Sequence, residues 1–95
     1  MKIYEIDFKG VKKSEELFER IIESLNFPSW CGKNLDAIWD MVTWEIDTPA
    51  VISLRGLNSL TQEVYTKTEQ LLKVFNDAHD WYEDVGEHLE IHIED

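Results

Sequence analysis

The sequence predicts an α/β fold, a small three-stranded parallel sheet with helices packed mainly on one face. Three strand-like segments separated by helical stretches imply right-handed crossovers and parallel pairing. Each of those segments keeps a polar face, whereas a sheet covered on both sides gives near-continuous apolar strands, so two layers are expected. Ninety-five residues, 43% apolar and 12% aromatic, suit one domain, 1–95, with one modest core that needs no disulfide staples.

Lys2 to Phe8 alternates, with Tyr4, Ile6 and Phe8 on one face and Ile3, Glu5 and Asp7 on the other, which predicts the first strand. Gly10 ends it. Ser14 is placed to cap a helix whose Leu17, Phe18, Ile21, Ile22 and Leu25 form an apolar stripe, with Glu15 and Glu16 at its positive end. Asn26 to Lys33 reads as a loop broken by Pro28, and a second helix follows from Asn34. Ala50 to Arg55 is the second strand, opened by Pro49. Gly56 to Thr61 turns into a short helical segment, and a long helix is expected from about Thr66 to Tyr82, anchored by Leu71, Val74, Phe75 and Ala78. His88 to Ile93 alternates again, with Leu89, Ile91 and Ile93 inward. Neither internal repeats nor low-complexity tracts interrupt this order.

The run Trp30 to Val42 (WCGKNLDAIWDMV) carries the functional signal. At about 100° per residue, Leu35, Ile38 and Val42 share the core side, with Met41 on its flank. Asp36, Asp40 and Thr43 fall on another face, and Trp39 lies at the border. Asn34 is the expected N-cap, and Gly32 before it permits backbone geometry closed to other residues. Asp36 in the first turn is favoured by the helix dipole, but a second like charge four residues on costs a few tenths of a kcal/mol. Folding therefore gives no reason for Asp40. Carboxylates on a solvated helix face are ordinary, but a tryptophan between them points to recognition, since such aromatics concentrate at binding hot spots.

Charge narrows the partner. A net charge of −11 argues against direct nucleic-acid or anionic-membrane binding, which require phosphate-neutralising Lys and Arg, and favours a basic partner. After Lys73 no Lys or Arg occurs, while Asp77, Asp80, Glu83, Asp84, Glu87, Glu90, Glu94 and Asp95 follow. Asp77, Asp80, Trp81 and Asp84 share one helical stripe, which a solvated face explains as well as a binding face does. A lone cysteine, Cys31, forms no internal disulfide, and neither a signal-peptide pattern nor a membrane span appears, so a cytoplasmic location is expected.

Pro28-Ser29-Trp30-Cys31-Gly32-Lys33-Asn34-Leu35-Asp36-Ala37-Ile38-Trp39-Asp40 resembles the signature of the barstar family, small intracellular inhibitors of secreted ribonucleases. Thr43, Pro49 before an apolar strand, Leu72 to Phe75 with Asp77-Ala78, and a closing strand follow in the family's order, so the resemblance spans essentially the whole chain. It implies a sheet with the first strand central and an acidic helix that inserts into a nuclease site. By motif position, Asp40 would enter that site, flanked by Asp36 and Trp30. Trp39 and Thr43 would line the contact, Asn34 and Gly32 would present the loop, and Asp77 or Asp80 would add long-range attraction. The implied partner is a basic ribonuclease toxin, and no cofactor or metal is expected. The pattern also departs from the prototype: Trp44-Glu45 replaces a Gly-Trp pair, Trp30 a tyrosine, Cys31 another aromatic residue, and Trp81 an acid.

Other functional classes fit these residues less well. Asp36 with Asp40 could form an acid/base pair, but on an exposed face neither is obviously desolvated, and so short a chain leaves little cleft. Cys31 with a histidine could be a nucleophile, although a lone cysteine is more often a packed small residue. No phosphate-binding glycine loop or nucleophile elbow occurs. His88 and His92 share a strand face about 13 Å apart, which reads as surface histidines, not a metal site. A barstar-like adaptor or regulator for another basic protein is the remaining alternative.

Overall fold

The computed structural model describes residues 1–94. Strands β1 (Lys2–Asp7), β2 (Ala50–Arg55) and β3 (Leu89–Glu94) pair in parallel, in the order β1-β2-β3. Helices α1 (Ser14–Ser24), α2 (Leu35–Glu45) and α3 (Gln62–Asp84) connect them, with a 3-10 turn at Leu57–Ser59. The register sets Tyr4 beside Ile52 and Ile91, and Ile6 beside Leu54 and Ile93. On that face Tyr4, Ile6, Ala50, Ile52, Leu54 and Leu89 are buried under Leu17 and Ile21 of α1 and Leu71, Phe75 and Ala78 of α3. Ile3, Glu5, Arg55, His92 and Glu94 on the opposite face are exposed, so the helices cover one side of the sheet. Among the described residues no helix is long and apolar enough to cross a membrane.

The expectation of a central first strand is overturned. β2 lies in the middle and β1 at an edge. That position explains why β2 is buried at every residue before Arg55, Ser53 included, which the alternation had placed on the polar face. Ser53 is flanked in register by Glu5 of β1 and His92 of β3.

Boundaries shift for identifiable reasons. Ser14 is the first residue of α1 and not its cap; Lys13 holds the cap position without a side-chain hydrogen bond. α3 begins at Gln62, four residues before the expected Thr66, because the Thr61 side chain accepts from the Val64 amide at 3.4 Å and starts the helix there. Phe8 lies beyond β1 yet is buried, its amide bonded to the Arg55 carbonyl. His88 precedes β3. Ile93, expected inward, is 57% exposed: burial fades along this edge strand from Leu89 through Ile91.

α2 packs chiefly on α3 and not on the sheet. Its apolar side, Ile38 and Val42, is fully buried, with Leu35 and Met41 half-buried beside them. The Tyr82 hydroxyl of α3 donates to the Val42 carbonyl at 2.7 Å. An outboard helix fixed this way leaves its remaining surface free.

Candidate functional site

α2 begins as a deliberate stop. Asn34 is extended, and its side-chain oxygen accepts from the Ala37 amide at 2.8 Å, satisfying one orphan donor of the first turn. Gly32 matters through space and not through an unusual backbone angle, which corrects the expectation: its φ is not left-handed, as those of Gly10, Gly56 and Gly86 are. A Cβ there would lie 2.9 Å from Asn34 Nδ2 and 3.2 Å from Ala37 Cβ. Lys33 anchors the same loop to α1 by donating to Glu15 at 3.1 Å and Glu19 at 2.9 Å. Those two carboxylates raise the Lys33 pKa, Glu19 most.

The side chains singled out in the sequence divide into groups. Asp36 and Asp40 are exposed, and neither carboxylate has a hydrogen-bond or ion-pair partner among the described residues. One helical turn separates them, about 6 Å along the axis. Trp39 is half-buried, packed against the core as its border position predicts. Thr43 is half-buried, and its hydroxyl donates to the Trp39 and Asp40 carbonyls at 2.9 and 3.2 Å, so the helix itself occupies that donor. Trp30 is 73% exposed.

Surface depressions show which groups meet. Trp30, Asp40, Met41, Trp44 and Glu45 line an open hollow of about 470 Å³. On the other side of Trp44, a second hollow of about 360 Å³ includes Thr43, Asp47, Trp81 and Glu87, so the C-terminal ends of α2 and α3 share one surface. Asp36 instead borders Lys33, Asn34 and Lys67, at the opposite end of α2 from Trp44. Asp77 and Asp80 line none of these hollows; Asp77 is paired with Lys73 at 2.9 Å, and Asp80 is exposed without a partner among the described residues.

Trp44 and Trp81 were absent from the sequence-derived site, although Trp44 is 84% exposed at the end of α2. Periodicity contains the missing signal: Trp44 falls four residues after Asp40, on the same helical face. No sequence spacing could place Trp81 at the same hollow, because that depends on how α3 lies against α2.

The side chains around α2 offer charge pairing and exposed indole surface. Cys31 is buried, its thiol directed to the Gly32 carbonyl at 3.6 Å, and burial pushes its pKa up, away from the reactive thiolate. Asp36 and Asp40 are exposed and border different hollows, so they do not converge on one site as an acid/base pair does. His88 and His92 both reach the same carboxylate, Glu90, at 3.0 and 3.1 Å. Among the described residues no group of three His, Cys, Asp or Glu side chains is arranged to hold a metal ion.

A helix that presents two carboxylates without partners among the described residues, Asp40 beside Trp30 and Trp44 and Asp36 near its Gly-Lys-Asn start, is the arrangement on which comparison with known proteins bears. The family model described as Barstar (barnase inhibitor) matches residues 1–94. This chain belongs to the barstar family. It is also 28% identical over 79 residues to a Bacillus subtilis (strain 168) protein named "Putative ribonuclease inhibitor YrdF", a match covering 83% of this chain and 87% of that one.

Proposed function

We propose that this chain inhibits a ribonuclease by occlusion, acting in the cytoplasm as the immunity partner of a secreted or contact-delivered nuclease toxin. A ribonuclease site is lined by Arg, Lys and His arranged around a phosphodiester, so a carboxylate carried on a rigid helix takes the phosphate position and pairs with those cations. Asp40 fills that role. Trp30 and Trp39 cover the surrounding surface, Asp36 engages a cation further along α2, and Asp80 adds long-range attraction with Asp77. Gly32 and Asn34 hold the helix start, and Thr43 contributes its apolar surface beside Trp44.

The single observation that carries this reading is Asp40 itself, exposed, unpaired among the described residues, and mounted on a helix whose core side is fully buried at Ile38 and Val42. The protein's acidity supports a basic partner and disfavours RNA as the direct ligand.

The test is a titration of a basic secreted ribonuclease, encoded beside this gene, with the purified chain. Stoichiometric loss of RNA cleavage in a one-to-one complex is expected. A complex that leaves cleavage intact would make the chain an adaptor, and RNA turnover by the isolated chain would make it an enzyme.

A further inference from the structure

The two edges of the sheet are closed to different extents. On β1 the amides of Lys2 and of Phe8 just beyond it point toward β2, so the backbone groups of Ile3, Glu5 and Asp7 turn outward. Arg20 of α1 donates to the carbonyls of Asp7 and Lys9 and closes one end of that edge. On β3 the His88 carbonyl accepts from the Ala50 amide, so the backbone groups of Leu89, Ile91 and Ile93 turn outward. His79 of α3 donates through Nδ1 to the Leu89 carbonyl. Beyond it, the amides and carbonyls of Ile91 and Ile93 meet no side chain or neighbouring strand among the described residues. A hollow of about 280 Å³ lies against this open stretch, with Asn76 and His79 of α3 on one side, Glu90 and His92 on the other and Ile91 between them. The Ile93 side chain, next along, is exposed. Such an edge, with neither lysine nor proline nor a bulge to blunt it, is a template for another strand.

We propose that the Ile91–Ile93 edge receives an extended segment of a basic protein as a fourth strand, antiparallel to β3. In that direction the residues opposite Ile91 and Ile93 each exchange two backbone hydrogen bonds with them. Alternation then fixes the pattern of the segment. Its residues opposite Ile91 and Ile93 lie on the helix-covered side and are apolar, whereas those opposite Glu90 and Glu94 lie on the uncovered side and are basic, with a polar residue opposite His92 between them. Charge selects this occupant over a second copy of the chain. Two copies of net charge −11 repel, and pairing two β3 edges about His92 would set Glu90 opposite Glu94. No Lys or Arg follows Lys73, which is itself paired with Asp77, so nothing of like charge opposes a basic strand here. The hollow shares no residue with those bordering α2, so this docking edge goes beyond the inhibitory contact and does not depend on it.

The experiment follows the backbone amide signals of the full chain, labelled with nitrogen-15, during titration with the end-capped peptide Lys-Val-Thr-Val-Lys. Two controls accompany it. Glu-Val-Thr-Val-Glu reverses the charge, and the lysine peptide N-methylated at both valines keeps the side chains but cannot donate to β3. Saturable shifts are expected at Ile91, Ile93 and His79, with the amides of α2 unmoved. The glutamate peptide should bind roughly 5- to 30-fold more weakly, the scale of two cross-strand charge pairs turned repulsive, and the N-methylated peptide should give no saturable shift at β3. Ile93→Lys, at an exposed position, should weaken the lysine peptide by roughly 3- to 10-fold while leaving the rest of the spectrum in place. Absence of shifts at β3, equal binding of the N-methylated peptide, or unchanged binding to Ile93→Lys would overturn the proposal. So would shifts confined to the amides around Asp36 and Asp40, which would reduce the binding to charge attraction at α2. Concentration-dependent shifts of Ile91 and Ile93 in the chain alone would put a second copy at this edge instead. A chain that inhibits no ribonuclease yet pairs with the peptide at β3 keeps this edge and loses the inhibitory reading, and an inhibitor without β3 shifts does the reverse.

Discussion

At the residue scale, the start of α2 depends on one small side chain making room for another. Replacing Asn34 with Ala removes the cap on Ala37 and should cost about 0.5–2 kcal/mol. Gly32→Ala introduces a methyl 2.9 Å from the Asn34 amide nitrogen and should lose much of the same energy by displacing the cap. Because both changes disable one interaction, urea denaturation of the double variant should show a loss well short of the sum; full additivity would mean that Gly32 acts independently of the cap. The Asn34 cap was legible in the sequence because it is local chemistry, a side chain three residues from its donor. The role of Gly32 was not, since a backbone angle and a close approach leave the same letter in the sequence. Ser14 shows the converse limit: a good capping residue stood one position inside the helix, where Lys13 left the cap unmade.

At the element scale, α2 is presented by α3. Tyr82→Phe deletes the hydrogen bond to the Val42 carbonyl and should lower stability by about 1 kcal/mol. Val42→Ala opens a cavity under the same helix and should cost more, roughly 1–3 kcal/mol in the same urea experiment. The entry to β3 has its own pH dependence. The hydrogen bond with Glu90 raises the His88 pKa, with help from Glu83, and the same bond to His88 lowers that of Glu90. A raised histidine pKa contributes stability at low pH that disappears as pH rises through the folded value; a lowered carboxylate pKa contributes stability at higher pH that disappears as pH falls through its folded value. The pair therefore contributes most between the two folded pKa values. Nuclear magnetic resonance titration of Glu90→Gln should show the His88 midpoint falling, and an unmoved midpoint would remove Glu90 as its cause. The apolar stripe of α1 and the alternation of the strands were readable as periodicity, whereas the early start of α3 depended on a Thr61 cap outside the expected segment.

For the whole molecule, the sheet order was the part that could not be read. Alternation reports how much of each strand faces water, and a central and an edge strand of the same pattern differ mainly in neighbours, as buried Ser53 and exposed Ile93 illustrate. The charge pattern, in contrast, needs no fold to be seen. With a net charge of −11 and no Lys or Arg after Lys73, association with a basic nuclease should be electrostatically steered. The association rate should fall roughly 10- to 100-fold between about 20 mM and about 500 mM salt, measured by stopped flow; a salt-independent rate would exclude long-range steering. The central claim is narrower, that the Asp40 carboxylate is the inhibitory group. Calorimetric titration of the inhibited ribonuclease with wild type, Asp40→Ala and Asp40→Asn tests it most directly, each variant first checked for stability. Both variants should unfold within about 0.5 kcal/mol of wild type, yet bind more weakly by about 2–5 kcal/mol, a range for desolvated interface charges to which the family's own prototype complex contributes. Two stable variants that bind and inhibit as wild type does would contradict the account.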